Sequence, residues 1–395
     1  MDIRSVTLFC DPDFPTGLMA DFFTAVRTPF PYPLQSTRLA LPPFPDWWTK
    51  DNDAQQLAAK WQAAGASYIS LGPVLLRHEA RWIEQIPALL AATDVLFATV
   101  EIADTQGQID TARCQQTAVL IQTVSKILAN GFGNLYLTAL ANCPPGSPFF
   151  PVAYHQGGPA HFAIAVESAD IALQAIQAAN TLAEARQNLI EAIETAAFQL
   201  TLIAEKIAAE FGIPFSGIDF SLAPFPTDDK SLGGALEALG VPQLGGAGSL
   251  FAAGFVTEAI ARANFPTCGF SGLMLPVLED SVLARRAAEG VLTVQDLLSY
   301  SAVCGVGLDT IPLPGEVSEG ALTAVLLDVA MLASRLHKPL TARLMPLPGL
   351  AAGDPVTFDF PYFADSRVMS VAGSGVTGLI AQGTRFGINP VISKK

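Results

Sequence analysis

Apolar residues along the chain recur in two alternating patterns, short dense runs and longer stretches spaced for one helical face. Ser67 to Leu71, Val95 to Val100 and Asn134 to Leu140 are compact apolar runs of the kind that buried strands carry, and Met1 to Thr7 reads as a short strand. Between them, the spacing of Leu57, Trp61 and Ala64 predicts a helix from about Asp51, and another is expected from about Asp110 to Ala129. The clearest helix spans Leu182 to Phe211. Thr181 and Glu184 have capping-box spacing, and Leu189, Ile193, Ala196, Leu200, Ile203 and Ile207 form one stripe that Gly212 and Pro214 bring to an end. Further on, Phe215 to Ile218 and Leu273 to Leu278 read as strands and Leu250 to Ala263 as a helix. Thr293 with Asp296 marks another helix, carrying Leu297, Leu298, Ala302 and Val303 and stopping at Gly305. Helices alternating with short strands predict an α/β fold with largely parallel strands, one domain over residues 1–371 and a C-terminal tail over 372–395.

Composition sharpens that picture. Half of the 395 residues are hydrophobic and 15% are charged, which supports a large core and excludes disorder. The net charge of −14 and the lack of a basic stripe argue against a nucleic-acid partner. The five cysteines show no C-x-x-C spacing, so reduced thiols in a cytoplasm are expected rather than disulfides or a zinc site. The opening residues lack the basic and apolar regions of a secretion signal, and Asp328 and Arg335 interrupt the run after Ala321 before it reaches membrane-spanning length.

Several blocks together resemble a known family. They are Asp2-Ile3-Arg4; Asn142-x-Pro144 with Pro148-Phe149 and Ala153-Tyr154-His155; the stretch from Gly217-Ile218-Asp219 through Ser221-Leu222-Ala223-Pro224 to Pro226; and Gly269-Phe270-Ser271-Gly272 with Glu279-Asp280. Ala302 to Asp309, Pro314-Gly315 and Arg343-x-x-Pro346-x-Pro348-Gly349 complete the set. In this order they resemble the bacterial and archaeal family called domain of unknown function 711. The resemblance implies a barrel like that of pyruvate formate-lyase and other glycyl radical enzymes, two parallel half-barrels surrounded by helices, and it implies no settled activity. The chain departs from the pattern near Gly107 to Asp110, which is shortened, at Glu167 to Asp170, and beyond Met369.

Candidate chemistry follows from residue type and setting. Cys304 precedes a Gly-x-Gly turn, where glycyl radical enzymes place a relay cysteine. However, Arg367-Val368-Met369-Ser370 lacks the glycine that such a radical needs, and a helix C-terminus disfavours a thiolate. His155, in a loop before Gln156-Gly157-Gly158, suits a general base. Asp219, Glu279 and Asp309 are expected at strand ends, where α/β folds gather their sites, and with His155 could do acid–base work or hold a divalent metal ion. Asp280 also reads as the N-cap of a helix starting at Ser281. Gly246 and Gly248, opening a helix, offer N–H groups to an anion, while Ser221 and Ser271 lie in the family blocks. Gly373 to Gly378 spells G-x-G-x-x-G but is followed by too little chain for a dinucleotide site. The combined expectation is an enzyme for a small polar or anionic metabolite, with His155, Asp219, Glu279 and Cys304 lining one cavity. The alternative is a non-catalytic metabolite sensor. A homodimer is expected on size and apolarity.

Overall fold

Burial of apolar strands on both faces organises the computed structural model, which describes residues 1–391. The strands are β1 (Asp2–Phe9), β2 (Thr37–Ala40), β3 (Tyr68–Val74), β4 (Leu96–Ala103), β5 (Gln108–Asp110), β6 (Leu137–Ala141), β7 (His161–Glu167), β8 (Phe215–Ala223), β9 (Gly307–Pro314) and β10 (Leu340–Leu347). Three short strands follow: β11 (Pro355–Val356), β12 (Ser366–Arg367) and β13 (Arg385–Gly387). The main sheet runs β8-β7-β1-β2-β3-β4-β6-β10-β9. Parallel pairing unites β1, β2, β3, β4 and β6; β7 pairs in parallel with β8, and β9 with β10. The two sets meet antiparallel, at β1 with β7 and at β6 with β10.

The run 273–278, expected to be a strand, is irregular, yet the segment from Pro266 onward reaches both edge strands. Thr267 forms a parallel bridge to Ile218 in β8, and Pro276 a parallel bridge to Asp309 in β9. Prolines 266 and 276 deny it a continuous ladder, because each lacks a backbone donor. Gly217 admits this crossing. At φ +127° it lies so close to the Pro266 carbonyl that a Cβ would stand 2.8 Å from that oxygen.

The helices form where expected. Thr181 accepts from the Glu184 N–H at the start of Leu182–Phe211, although the Glu184 carboxylate turns to the Asn180 N–H instead of closing the box. Thr293 and Asp296 form a complete capping box for Val294–Ser301. The predicted helices near Asp51 and Asp110 occupy Ala54–Ala63 and Thr111–Val124, capped by Asp53 and Asp110. Gly373 to Gly378 lies in a loop followed by a single 3-10 turn, Ile380–Gln382, and not by the α-helix a dinucleotide site would need. From the tail, β13 pairs antiparallel with β5. No helix among the described residues is long and apolar enough to cross a membrane.

Gly272 and Gly305 pack backbone to backbone, and a Cβ on Gly305 would stand 2.8 Å from the Gly272 Cα. Neither side of that contact can yield without moving main chain. Gly305→Ala should therefore cost about 1–3 kcal/mol in urea unfolding, and an unchanged midpoint would show the contact to be slack.

Candidate functional site

Charged residues inside apolar strands point to the site. Arg4 lies in β1, Arg38 in β2 and Arg343 in β10, and all three line a cavity of about 110 Å³ together with Glu279 and the aromatic rings of Tyr68, Phe97, Phe150, Phe360 and Tyr362. Strand irregularities aim two of these side chains. The β1/β7 register slips between Ile3 and Ser5, leaving Arg4 out of the ladder, and the β10/β9 register slips between Ala342 and Leu344, leaving Arg343 out. Opposite Arg343 are Asp309 and Thr310, the latter at φ +44°. Bulges of this kind re-aim a side chain without ending the sheet.

An ion-pair chain follows from this placement. Arg4 Nη2 donates to Glu279 Oε2 at 2.5 Å, and Arg343 Nη2 to Glu279 Oε1 at 2.9 Å. Arg343 Nε also donates to Asp309 Oδ1. Burial opposes ionisation of Glu279, but Arg4 and Arg343 outweigh it and hold the carboxyl below its usual range. Burial wins at Asp309, whose carboxyl is raised and whose Oδ2 is enclosed without a partner.

Arg38 differs from its two neighbours. It is 8% exposed, its Nε donates to Ser36 Oγ at 2.9 Å, and its guanidinium lies 5.0 Å from the Phe150 ring centroid and 5.8 Å from that of Tyr68. Among the described residues it has no carboxylate within ion-pair distance, whereas both other arginines do. Burial, with repulsion from Arg4, lowers its pKa to about 9. The cavity thus holds three guanidiniums against Glu279 and the buried Asp309.

The expected convergence of His155, Asp219, Glu279 and Cys304 is corrected by these positions: of the four, Glu279 alone lines the cavity. Asp219 is a clasp, accepting from the Phe270 and Ser271 N–H groups at 3.0 and 3.1 Å and from the Ser221 hydroxyl, so it fastens the 268–272 loop to β8. Ser271 Oγ completes the clasp, with the Cys268 and Ile218 carbonyls at 3.0 and 3.2 Å as acceptors for its one hydrogen. His155 is buried past the far ends of β1 and β2, where its Nε2 lies 3.3 Å from the Gly158 carbonyl and 3.9 Å from Asp11, with Nδ1 unpartnered. Cys304 is enclosed and burial pushes its thiol up, with Lys338 donating to its carbonyl. Asp280 caps the helix Ser281–Ala288 and also accepts from Ser231 Oγ and the Leu232 and Gly233 N–H groups. Gly246 and Gly248 are exposed on the outer surface, and the Gly246 N–H is already given to Gln243.

A divalent ion does not fit the donor set. Among the described residues no three His, Cys, Asp or Glu side chains come together, and Glu279 and Asp309 are each bound by a guanidinium.

Arginine was the residue type that sequence reasoning missed. Arg4 and Arg343 were noticed as parts of family blocks and Arg38 not at all. The available signal was a cation inside Thr37-Arg38-Leu39-Ala40, a four-residue strand that is buried throughout.

The architecture is thus a mostly parallel α/β sheet wrapped by helices, with an arginine-lined cavity. The chain belongs to the family described as uncharacterised ACR, DUF711, whose model matches residues 19–365. It is similar to a UPF0210 protein of Pyrobaculum aerophilum, 35% identical over 288 residues, which are 70% of this chain and 63% of that protein. A UPF0210 protein of Methanosarcina acetivorans is 29% identical over 326 residues, 78% of this chain and 68% of that protein. One of Clostridium perfringens is 27% identical over 318 residues, 78% and 70%. The chain therefore spans about 63% of the length of the first of these relatives.

The depressed carboxyl of Glu279 has a stability consequence of definite sign. A folded-state pKa below the unfolded value stabilises the protein above the unfolded pKa, and that contribution is lost as pH falls through the folded one. Glu279→Gln, which leaves Arg4 and Arg343 without their shared carboxylate, should cost about 3–5 kcal/mol near neutrality. The gap in Tm between variant and wild type should narrow on acidification through the carboxylate range, and a gap constant with pH would refute the assignment.

Proposed function

We propose that this protein binds a small anionic metabolite, a carboxylate or phosphate, in the arginine-lined cavity, with Arg38 as its principal receptor. The observation that carries this reading is that Arg38 is buried, faces the cavity and has no carboxylate of its own. A guanidinium so enclosed is costly unless something pairs with it, and a planar bidentate anion meets its geometry. The cavity volume of about 110 Å³ is well under the ~300 Å³ at which drug-sized sites begin, so the ligand has few heavy atoms. The aromatic rings that line the site lower the local polarity around the guanidinium and so strengthen the ion pair.

Binding, in a sensor or carrier role, is better supported than turnover. Glu279 is the one carboxylate lining the cavity, and with its pKa held low it is a weak general base near neutral pH. The reading also includes closure of the sheet. If the 266–278 segment counts as a fifth member beside β7, β8, β9 and β10, two five-membered parallel sets form a ring of the kind found in glycyl radical enzymes. The bridges of Thr267 and Pro276 to the two edge strands support that closure.

The test is a thermal-shift and calorimetric series with acetate, oxalate, succinate and inorganic phosphate. At least one should bind the wild type, and Arg38→Gln should weaken it by about tenfold to a hundredfold, the worth of a charge-assisted hydrogen bond. Arg38→Lys should restore part of the loss. An affinity unaltered in Arg38→Gln, or no response to any of the four anions, overturns the reading.

A further inference from the structure

Strand β4 leads from the first cavity to a second. Phe97 lines the arginine cavity, and Glu101, four residues on and so roughly 13 Å along the strand, lines a larger cavity of about 410 Å³. The second lies beyond the C-terminal ends of β3 and β4, with Leu76, Arg77, Asp104, Tyr154 and, from the tail, Arg385 among its walls.

Glu101 is 7% exposed. Its Oε2 accepts the Leu76 N–H at 2.7 Å, whereas Oε1 receives no hydrogen bond among the described residues and is not one of the enclosed unpartnered atoms. That second oxygen therefore opens on the cavity. The two arginines of the cavity wall are already engaged. Arg77 is paired with Asp46; Arg385 is paired with Asp110 and donates to the Leu76 carbonyl. Arg113, which is not in the cavity wall, gives Nη2 to the His78 carbonyl and keeps Nη1 enclosed without a partner among the described residues. Tyr154 spends its phenolic hydrogen on the Cys143 carbonyl. Asp104, by contrast, adds a carboxylate with no cation within ion-pair distance among the described residues, although it accepts the Gln106 and Gln108 N–H groups.

We propose that this second cavity is a binding site for a small organic amine, whose ammonium is received by the free oxygen of Glu101. An anion is disfavoured there because it would meet Glu101 and Asp104 while both wall arginines keep carboxylates of their own. The site is independent of the arginine cavity, takes a ligand of opposite charge and stands or falls separately from it.

Burial raises the Glu101 carboxyl to about 7 against the lowering by the Leu76 N–H bond; Asp104 adds to the rise, and Arg113 and Arg77 oppose it. The neighbouring Cys143 thiol, pushed up to about 12, and the Tyr154 phenol, also raised, stay protonated across neutrality. The amine needs Glu101 ionised, so its affinity rises with pH. From one pH unit below that pKa to one above, the ionised fraction goes from about one tenth to nine tenths, and the Kd should tighten about tenfold.

Isothermal titration calorimetry of the whole chain with methylamine and 1,4-diaminobutane at pH 6 and pH 8, at fixed ionic strength, tests this. At least one amine should bind at pH 8 and bind about tenfold more weakly at pH 6. Glu101→Gln should lose tenfold or more at pH 8 and remove the pH dependence. The proposal is overturned if neither amine binds at pH 8, if affinity is equal at the two pH values, or if Glu101→Gln binds as the wild type does. Should that variant fail to fold, the wild-type affinity ratio between the two pH values decides alone.

Discussion

Arg343 sits between two carboxylates in the interior, and the rest of the site is arranged around that constraint. Its guanidinium bonds Asp309 on β9 and Glu279 beyond Pro276, and Glu279 in turn bonds Arg4 on β1. One ion-pair chain thus links the first parallel set, through β1, to the second, through β9 and β10. Burying so many charges costs several kcal/mol per ion before pairing. Removing Glu279 leaves Arg4 unpaired and removing Arg343 leaves Asp309 unpaired, so the two central members hold the chain together. Arg38 lies outside this mutual neutralisation, and the proposed receptor role rests on that difference.

The bulges explain why such a chain can exist inside a sheet. In a regular strand, side chains alternate between faces, and neighbouring strands stay in register. Slips at Arg4 and at Arg343 each release one residue from that alternation. Both releases deliver a long cationic side chain to the same hollow, while β1 from Ser5 onward and the whole of β10 stay buried.

How much of this was legible in the sequence follows from the same physics. Helix boundaries were read closely because caps and stripes are local: Thr181, Thr293 and Asp280 each announce a helix within four residues. The α/β class came from alternation, and the family from ordered blocks. The site did not follow, because a bulge has no local signature and a side chain's partner is a matter of tertiary placement. Asp219 looked like an active-site acid because its surroundings in sequence gave it no ready structural role; Ser221 donates from two residues away, but the backbone donors that make it a clasp, Phe270 and Ser271, are some fifty residues on. Gly269 shows the same dependence from the other side, since a Cβ there would collide with the Asp219 carboxylate. Arginines within apolar strands were the overlooked signal, visible in Thr37-Arg38-Leu39-Ala40 without any structure.

The opposed directions of the two strand sets also account for two cavities of unlike charge. β1, β2, β3, β4 and β6 begin around the arginine cavity and end on the side of the second one, whereas β9 and β10 run the other way. Each end of the sheet therefore collects strand termini of both kinds, but only one set's C-terminal loops. At the first end those loops add Glu279, which is consumed by Arg4 and Arg343, so positive charge is left over at Arg38. At the other end the loops after β3 and β4 bring Arg77 and Asp104, and the arginine is consumed by Asp46. Negative charge is left over at Glu101. Since the surplus at each end is decided by which partner is already taken, counting charges on the sequence cannot reveal it, and only the pairing can.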